Sequence, residues 1–203
     1  INFYTKLLSK SIEFIKTKLF GTRYNCWTLF IGNGEFMNST LFRLRPVKLP
    51  KSEFWADPFI LNYKGENYVF FENYNYKTKK GKISCGIVKN QELVNITDVL
   101  VLDYHLSYPY VFEENGEVFL MPETNDNNRL ELYKCINFPD KWELYSTTFD
   151  GEKVGDAFFY DDDNKQKWLF VNKKADLSKS FDSESFIYKV GSLKLDNLEP
   201  HYT

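Results

Sequence analysis

The chain has 203 residues, 43% of them hydrophobic and 18% aromatic, with 19 Phe, 14 Tyr and 4 Trp against two Met, which fits one sizeable domain with a ring-rich, sheet-prone core. A formal net charge of −2 gives no general attraction to nucleic acid, and no run approaches the ~18 apolar residues of a membrane-spanning helix. Cys26, Cys85 and Cys135 show no CxxC spacing, so neither a zinc site nor a disulfide framework is indicated and a reducing, cytoplasmic setting is expected.

Residues 2–20, NFYTKLLSKSIEFIKTKLF, place Leu8, Ile12, Ile15 and Leu19 at helical spacing with lysines between them, and Gly21 follows as a C-terminal cap would. The spacing predicts an amphipathic helix or linker over residues 1–22. Its basic face (Lys6, Lys10, Lys16, Lys18) suits weak contact with a membrane surface; packing against, or linking to, a preceding domain is the other use of such a helix.

From Cys26 the pattern changes to short β-branched and aromatic runs separated by Asn-Gly, Lys-Gly and Asp-rich turns, which are hairpin signals. An internal repeat organises them. ADPFILNYKGENYVFFE (56–72) overlays SYPYVFEENGEVFLMPE (107–123), so that Pro58 meets Pro109, Gly65 meets Gly116 and Glu72 meets Glu123, each at an offset of 51. A third copy, GDAFFYDDDNKQKWLFVN (155–172), puts Asp156 in register with Asp57. Each copy is followed by a polar hairpin and outer strands. A unit of about 50 residues with four short antiparallel strands has the size of a β-propeller blade. The expected fold is therefore all-β: a β-propeller over residues 23–203, of which residues 26–203 supply three to four units, preceded by the short helix, with a β-sandwich whose segments match by chance as the alternative.

In a propeller the start of each innermost strand faces a common axis, which predicts that Asp57, Tyr108 and Asp156 converge. Paired carboxyls in a narrow, partly dry place are the equipment of glycoside chemistry, one acting as base or nucleophile and the other as acid. Glu72 and Glu123 end the second strands, and His105 precedes the second copy at the same rim. Local sequence alone reads Asp57 as a turn residue before proline, and its repeat position argues for a channel carboxylate. Glu72 and Glu123 fit a recurring structural role as well as a functional one. Tyr104, Tyr108 and Tyr110 offer faces for a sugar ring or for the core. The run Asp161–Asp163 reads as a solvated hairpin tip. There is no GxxxxGK[ST], GxGxxG after a strand, HExxH or GxSxG, and two histidines are too few for a histidine-rich metal site; no cofactor or metal is expected.

The segments WADPF (55–59), YVFFE (68–72), HLSYPYVF (105–112), MPE (121–123), LYKCINFPDKW (132–142) and GDAFFY (155–160) resemble the N-terminal domain family named after plant glucosamine inositolphosphorylceramide transferase. The resemblance covers about residues 24–203 and implies kinship in fold with the five-bladed propellers of family 43 glycoside hydrolases, levansucrases and invertases, so the propeller is expected to be of the five-bladed type and, with only three to four units in residues 26–203, incomplete. In those hydrolases an Asp-Pro at the start of an inner strand holds the base or nucleophile, and Asp57 matches it. The later pKa-tuning Asp is replaced by Tyr108 in register, with Asp156 one copy further on, and Glu123 stands in by proximity for the general acid. On this basis Asp57, Asp156 and Glu123 are the expected catalytic residues, and Trp55, Glu72, His105, Tyr108 and Tyr110 the expected substrate-binding ones. The implied function is a carbohydrate-active or carbohydrate-binding domain for a glycan or glycolipid headgroup, by hydrolysis or in support of transfer, with a fused or neighbouring transferase domain as partner. The alternative is a non-catalytic interaction scaffold.

Overall fold

The computed structural model describes residues 27–34, 43–174 and 183–201, together with helical positions 4–5, 7–8, 11–12 and 14–15. Leu7, Leu8, Ile12 and Ile15 on those helical positions are exposed. The lysines read as the helix's basic face, Gly21 and Cys26 lie outside the described residues.

Three four-stranded antiparallel meanders form the body. Sheet 1 holds β3 (Glu53–Tyr63), β4 (Glu66–Asn75), β5 (Lys80–Lys89) and β6 (Glu92–Leu100). Sheet 2 holds β7 (Ser107–Glu114), β8 (Glu117–Glu123), β9 (Leu130–Asn137) and β10 (Lys141–Thr148), and sheet 3 holds β11 (Val154–Asp161), β12 (Lys167–Lys174), β13 (Ser183–Val190) and β14 (Leu198–Pro200). A two-stranded pair, β1 (Phe30–Ile31) with β2 (Arg45–Pro46), precedes them. Tight turns join neighbours where the sequence allows left-handed residues: Lys64 and Gly65 have φ of 51° and 82°, Asn115 and Gly116 have 53° and 78°, the signs a two-residue hairpin of type I′ requires.

The expected five-bladed propeller, incomplete or otherwise, is not formed. Each meander satisfies its ladder within its own sheet, giving four separate antiparallel sheets, none of them closed or strongly curled. What joins the three large sheets is chiefly side-chain packing, with a few hydrogen bonds across the joints. Leu61, Phe70 and Ile83 of sheet 1 meet Val111, Leu120 and Tyr133 of sheet 2 in one core. Phe119, Met121 and Leu132 on the other side of sheet 2 meet Phe159, Leu169 and Tyr188 of sheet 3 in a second. Both faces of β8 are buried, so its run Val118–Phe119–Leu120–Met121 is apolar without alternation. Leu29, Trp55, Val69 and Phe71 form a third cluster on the far side of sheet 1. Each fully buried large side chain contributes about 1.5–3 kcal/mol of apolar burial.

Candidate functional site

The first strands of the three sheets carry the same irregularity at the same register. Ala56 pairs Glu72 and Phe59 pairs Phe70; Ser107 pairs Glu123 and Tyr110 pairs Met121; Gly155 pairs Asn172 and Phe158 pairs Phe170. In each case three steps on the first strand oppose two on the second, which is a β-bulge. The residue after each small one is left-handed, with φ of 50° at Asp57, 44° at Tyr108 and 49° at Asp156. Positive φ is tolerable for Asp and costly for Tyr, so the bulge is held by its surroundings. Pro58 and Pro109 fit because a bulged residue need not donate to the ladder.

The bulges bring carboxyls to the joints between sheets. The Tyr108 amide donates to Asp57 Oδ2 at 3.3 Å, and the Asp156 amide donates to Glu123 Oε2 at 3.4 Å. Glu72 is almost fully buried, with its Oε1 3.5 Å from His105 Nε2. The Gly81 amide donates to His105 Nδ1 at 2.8 Å. A ring nitrogen that accepts an amide carries no proton, so the neutral imidazole presents Nε2–H to Glu72. Burial holds His105 below its ordinary pKa, against the pull of Asp126 and Asp57. Asp156 is exposed and accepts from Asn172 Nδ2 at 3.1 Å, while Ser185 Oγ donates to Asn172 Oδ1 at 2.7 Å.

Two glycines let these parts approach. A Cβ on Gly81 would lie 2.3 Å from the Leu106 carbonyl oxygen and 3.0 Å from Glu72 Oε1. One on Gly155 would lie 2.6 Å from Glu123 Oε2.

Burial, reinforced by the charges of Asp57 and Glu123, pushes Glu72 up to about 8. Burial and then the Asp156 charge push Glu123 up to about 7, against the Asp156 amide. Asp57 is also raised by burial, partly offset by the Tyr108 amide. Near neutral pH Glu72 is thus mostly protonated and Glu123 is poised between its two forms, so that the cluster can both donate and accept.

Asp57, Glu72, His105, Tyr108, Glu123 and Asp156 therefore share one neighbourhood. Trp55 lies apart from it, 4% exposed, with its indole packed on Phe71 at 4.6 Å and Nε1 donating to Glu53 at 3.2 Å. Tyr110 stands between sheets 2 and 3, its hydroxyl donating to the Phe159 carbonyl at 3.1 Å and its ring edge-on to Phe59 at 5.8 Å. Tyr108 is half-buried and edge-on to Phe59 at 5.0 Å. Sequence reasoning did not single out Gly81, Gly155 and Asn172, although Asn172 takes the register place of Glu72 and Glu123 and was visible as such in the repeat. It also missed Glu131, fully buried and bound by Tyr104 and Asn127 at 2.6 Å, Arg129 at 2.7 Å, and Tyr133. Among the described residues, no group of three or more His, Cys, Asp or Glu is arranged to hold a metal ion. No helix among them is long and apolar enough to cross a membrane.

The geometry can be set beside known proteins. Over 95 residues the chain is 39% identical to glucosamine inositolphosphorylceramide transferase 1 of Arabidopsis thaliana, covering 46% of this chain and 12% of that protein. Over 123 residues it is 32% identical to the protein of that name from Oryza sativa subsp. indica, covering 60% of this chain and 16% of the relative. The chain thus spans only a small part of these relatives. Among solved structures, an endo-1,4-beta-xylanase from Bacteroides thetaiotaomicron superposes with a TM-score of 0.59 at 12% identity, covering 78% of this chain and 61% of the other. MPT-4, a mannose phosphorylase from Leishmania mexicana, superposes with a TM-score of 0.54 at 11% identity, covering 94% and 57%. At such identity the likeness is one of fold. The family described as glucosamine inositolphosphorylceramide transferase 1, N-terminal, matches residues 45–202, a span that contains all three bulged sheets and the whole carboxyl cluster, and the chain belongs to that family.

Proposed function

We propose that this chain is a carbohydrate-active domain that holds and processes the sugar of a glycan or glycolipid headgroup. In this reading Asp57 is the base, Glu123 the acid and Asp156 the acceptor of a sugar hydroxyl, with Glu72, His105 and Tyr108 around them. The observation that supports it most is the cluster itself: three sheets place a left-handed bulge residue beside two glutamates whose pKa values rise to about 8 and about 7. A sugar hydroxyl both donates and accepts, so a protonated Glu72 beside a Glu123 poised between its two forms matches it as a single ionised carboxylate does not. The same pairing is the equipment of glycosyl chemistry. The names of the matched relatives, a transferase of glucosamine on a lipid headgroup, and of the structural neighbours, a xylanase and a mannose phosphorylase, support a sugar-directed role. The transferase portion of a longer or neighbouring protein is the partner that role implies.

The test is calorimetric titration of the chain against neutral, amino-sugar and inositol phosphate glycans, with product analysis by mass spectrometry. A saturable response is expected that weakens about tenfold or more in Asp57→Asn and in Glu123→Gln, a loss of roughly 1.4 kcal/mol or more. Product formation should fall by about 10²–10⁴ in the same variants. No saturable response across the panel, or equal affinity in both variants, overturns the reading.

A further inference from the structure

Along β4, the side of sheet 1 that faces sheet 2 changes character in three steps. Phe70 lies in the core shared with sheet 2, Glu72 lies in the carboxyl cluster, and Tyr74 stands in a group of rings. Tyr74 pairs Phe54 across the ladder, and the two rings stack at 4.6 Å with 14° between their planes. The Tyr76 ring lies 5.9 Å from each of them. On its other side Tyr74 pairs Gly81, where a Cβ would lie 2.8 Å from His105 Cε1, and the His105 ring comes edge-on to Tyr74 at 5.8 Å. His105 therefore touches Glu72 through Nε2 and the ring group through its edge.

Neither core packing nor the repeat accounts for these rings. Phe54, Tyr74 and Tyr76 are half-buried and belong to none of the three cores. The offset of 51 puts His105, Asn125 and Asn127 at the corresponding places of sheet 2, all of them polar. The distance from Glu72 suits a ligand instead. Two residues of strand advance the chain by about 7 Å, of the order of the spacing between neighbouring sugars in a glycan.

We propose that Phe54, Tyr74 and Tyr76 form a second sugar subsite, which takes the ring next to the one held at the carboxyl cluster, so that the ligand is a chain of two or more sugars. This rests on the reading of that cluster as a sugar site. A pyranose presents C–H groups on its faces and hydroxyls around its rim. An aromatic surface buries the face, and the phenol hydroxyls of Tyr74 and Tyr76 can donate to and accept from the rim. Contact area, and not charge, supplies the affinity of this subsite.

Calorimetric titration with matched pairs tests it: xylose and xylobiose, mannose and mannobiose, glucosamine and chitobiose. In a pair that binds, the disaccharide should bind about tenfold tighter than the monosaccharide. The double variant Phe54→Leu, Tyr76→Leu keeps apolar bulk without the rings, and should erase this gain while leaving the monosaccharide affinity unchanged. Phe54→Tyr with Tyr76→Phe keeps both rings and should keep the gain. Circular dichroism verifies the fold of each variant. Independently of any variant, nuclear magnetic resonance of the wild type should show the ring protons of Phe54, Tyr74 and Tyr76 shifting with the disaccharide and not with the monosaccharide. Equal affinities within every pair that binds, a gain that survives loss of the rings, or ring protons that ignore the disaccharide overturns the second subsite and leaves the carboxyl site standing. No binding by any member of the panel overturns both.

Discussion

Glu72 and Glu131 are both buried glutamates, and their surroundings drive them in opposite directions. Burial pushes each one up. At Glu131 four side-chain donors more than offset it and hold the carboxyl below its ordinary range. Glu72 has one 3.5 Å contact with His105, and the Asp57 and Glu123 charges add to the burial. The consequence is a pH dependence of known sign. The unfolded chain releases the Glu72 proton near 4.5, while the folded chain keeps it up to about 8. Between those values the native state binds more protons, so stability is fully present below about 4.5 and is lost as pH rises through about 8. Glu123 adds a contribution of the same sign up to about 7, and the raised Asp57 acts in that direction too. Urea midpoints should therefore fall from about pH 5 to about pH 8. In Glu72→Gln, which copies the protonated side chain, the fall should be visibly shallower; an unchanged slope would show that Glu72 is ionised in the native protein at neutral pH.

At the scale of elements, the bulged strand start is the recurring device, and its glycines differ in what they protect. The Gly81 Cβ would strike the Leu106 backbone carbonyl, which is fixed by the Leu106 amide donating back to the Gly81 carbonyl at 3.0 Å. The Gly155 Cβ would meet only the end of the Glu123 side chain, which can rotate away. Gly81→Ala is thus expected to cost about 1–3 kcal/mol or more through overpacking against backbone. Gly155→Ala should cost less than about 1 kcal/mol in urea denaturation and, if Glu123 has the role proposed for it, weaken glycan binding, because it displaces the Glu123 carboxyl. Similar losses of stability in both variants would contradict this division. Much of the pattern was legible in advance: the Pro58/Pro109 and Gly65/Gly116 matches marked equivalent strands and turns, and Lys64-Gly65 marked a hairpin. The bulge was not, since nothing in Tyr108 advertises a left-handed backbone and Ala157 replaces the proline in the third copy. Trp55 shows the same limit, because an aromatic in an inner strand reads alike whether it meets a ligand or Phe71.

Over the whole molecule, sheet 2 is the layer through which everything couples. The uninterrupted apolar run of β8 goes with burial on both sides, and alternation and turn signals carry no information on whether successive sheets close a ring or stand as separate stacked layers. The segment FPDKW, distinctive in the sequence, shows how the layers are tied. It links β9 to β10 and returns to sheet 1, where the Phe138 ring stacks on Tyr63 at 4.1 Å and meets Tyr68 edge-on at 4.7 Å. Trp142 anchors the turn by donating from Nε1 to the Pro139 carbonyl at 2.8 Å and packs edge-on against Phe70 at 6.0 Å. Phe138 is only half-buried, so truncation should cost about 2–4 kcal/mol, toward or below the lower end for a core phenylalanine. Because sheet 2 shares one core with sheet 1 and another with sheet 3, this loss should lower the stability of the whole stack. Phe138→Ala should still unfold in one transition, with tryptophan fluorescence and far-ultraviolet circular dichroism coincident along the urea axis and the midpoint shifted down. Two separated transitions in the variant would mean that the clamp, and not the shared cores, makes sheets 1 and 2 cooperative, and that sheet 1 folds as a unit of its own.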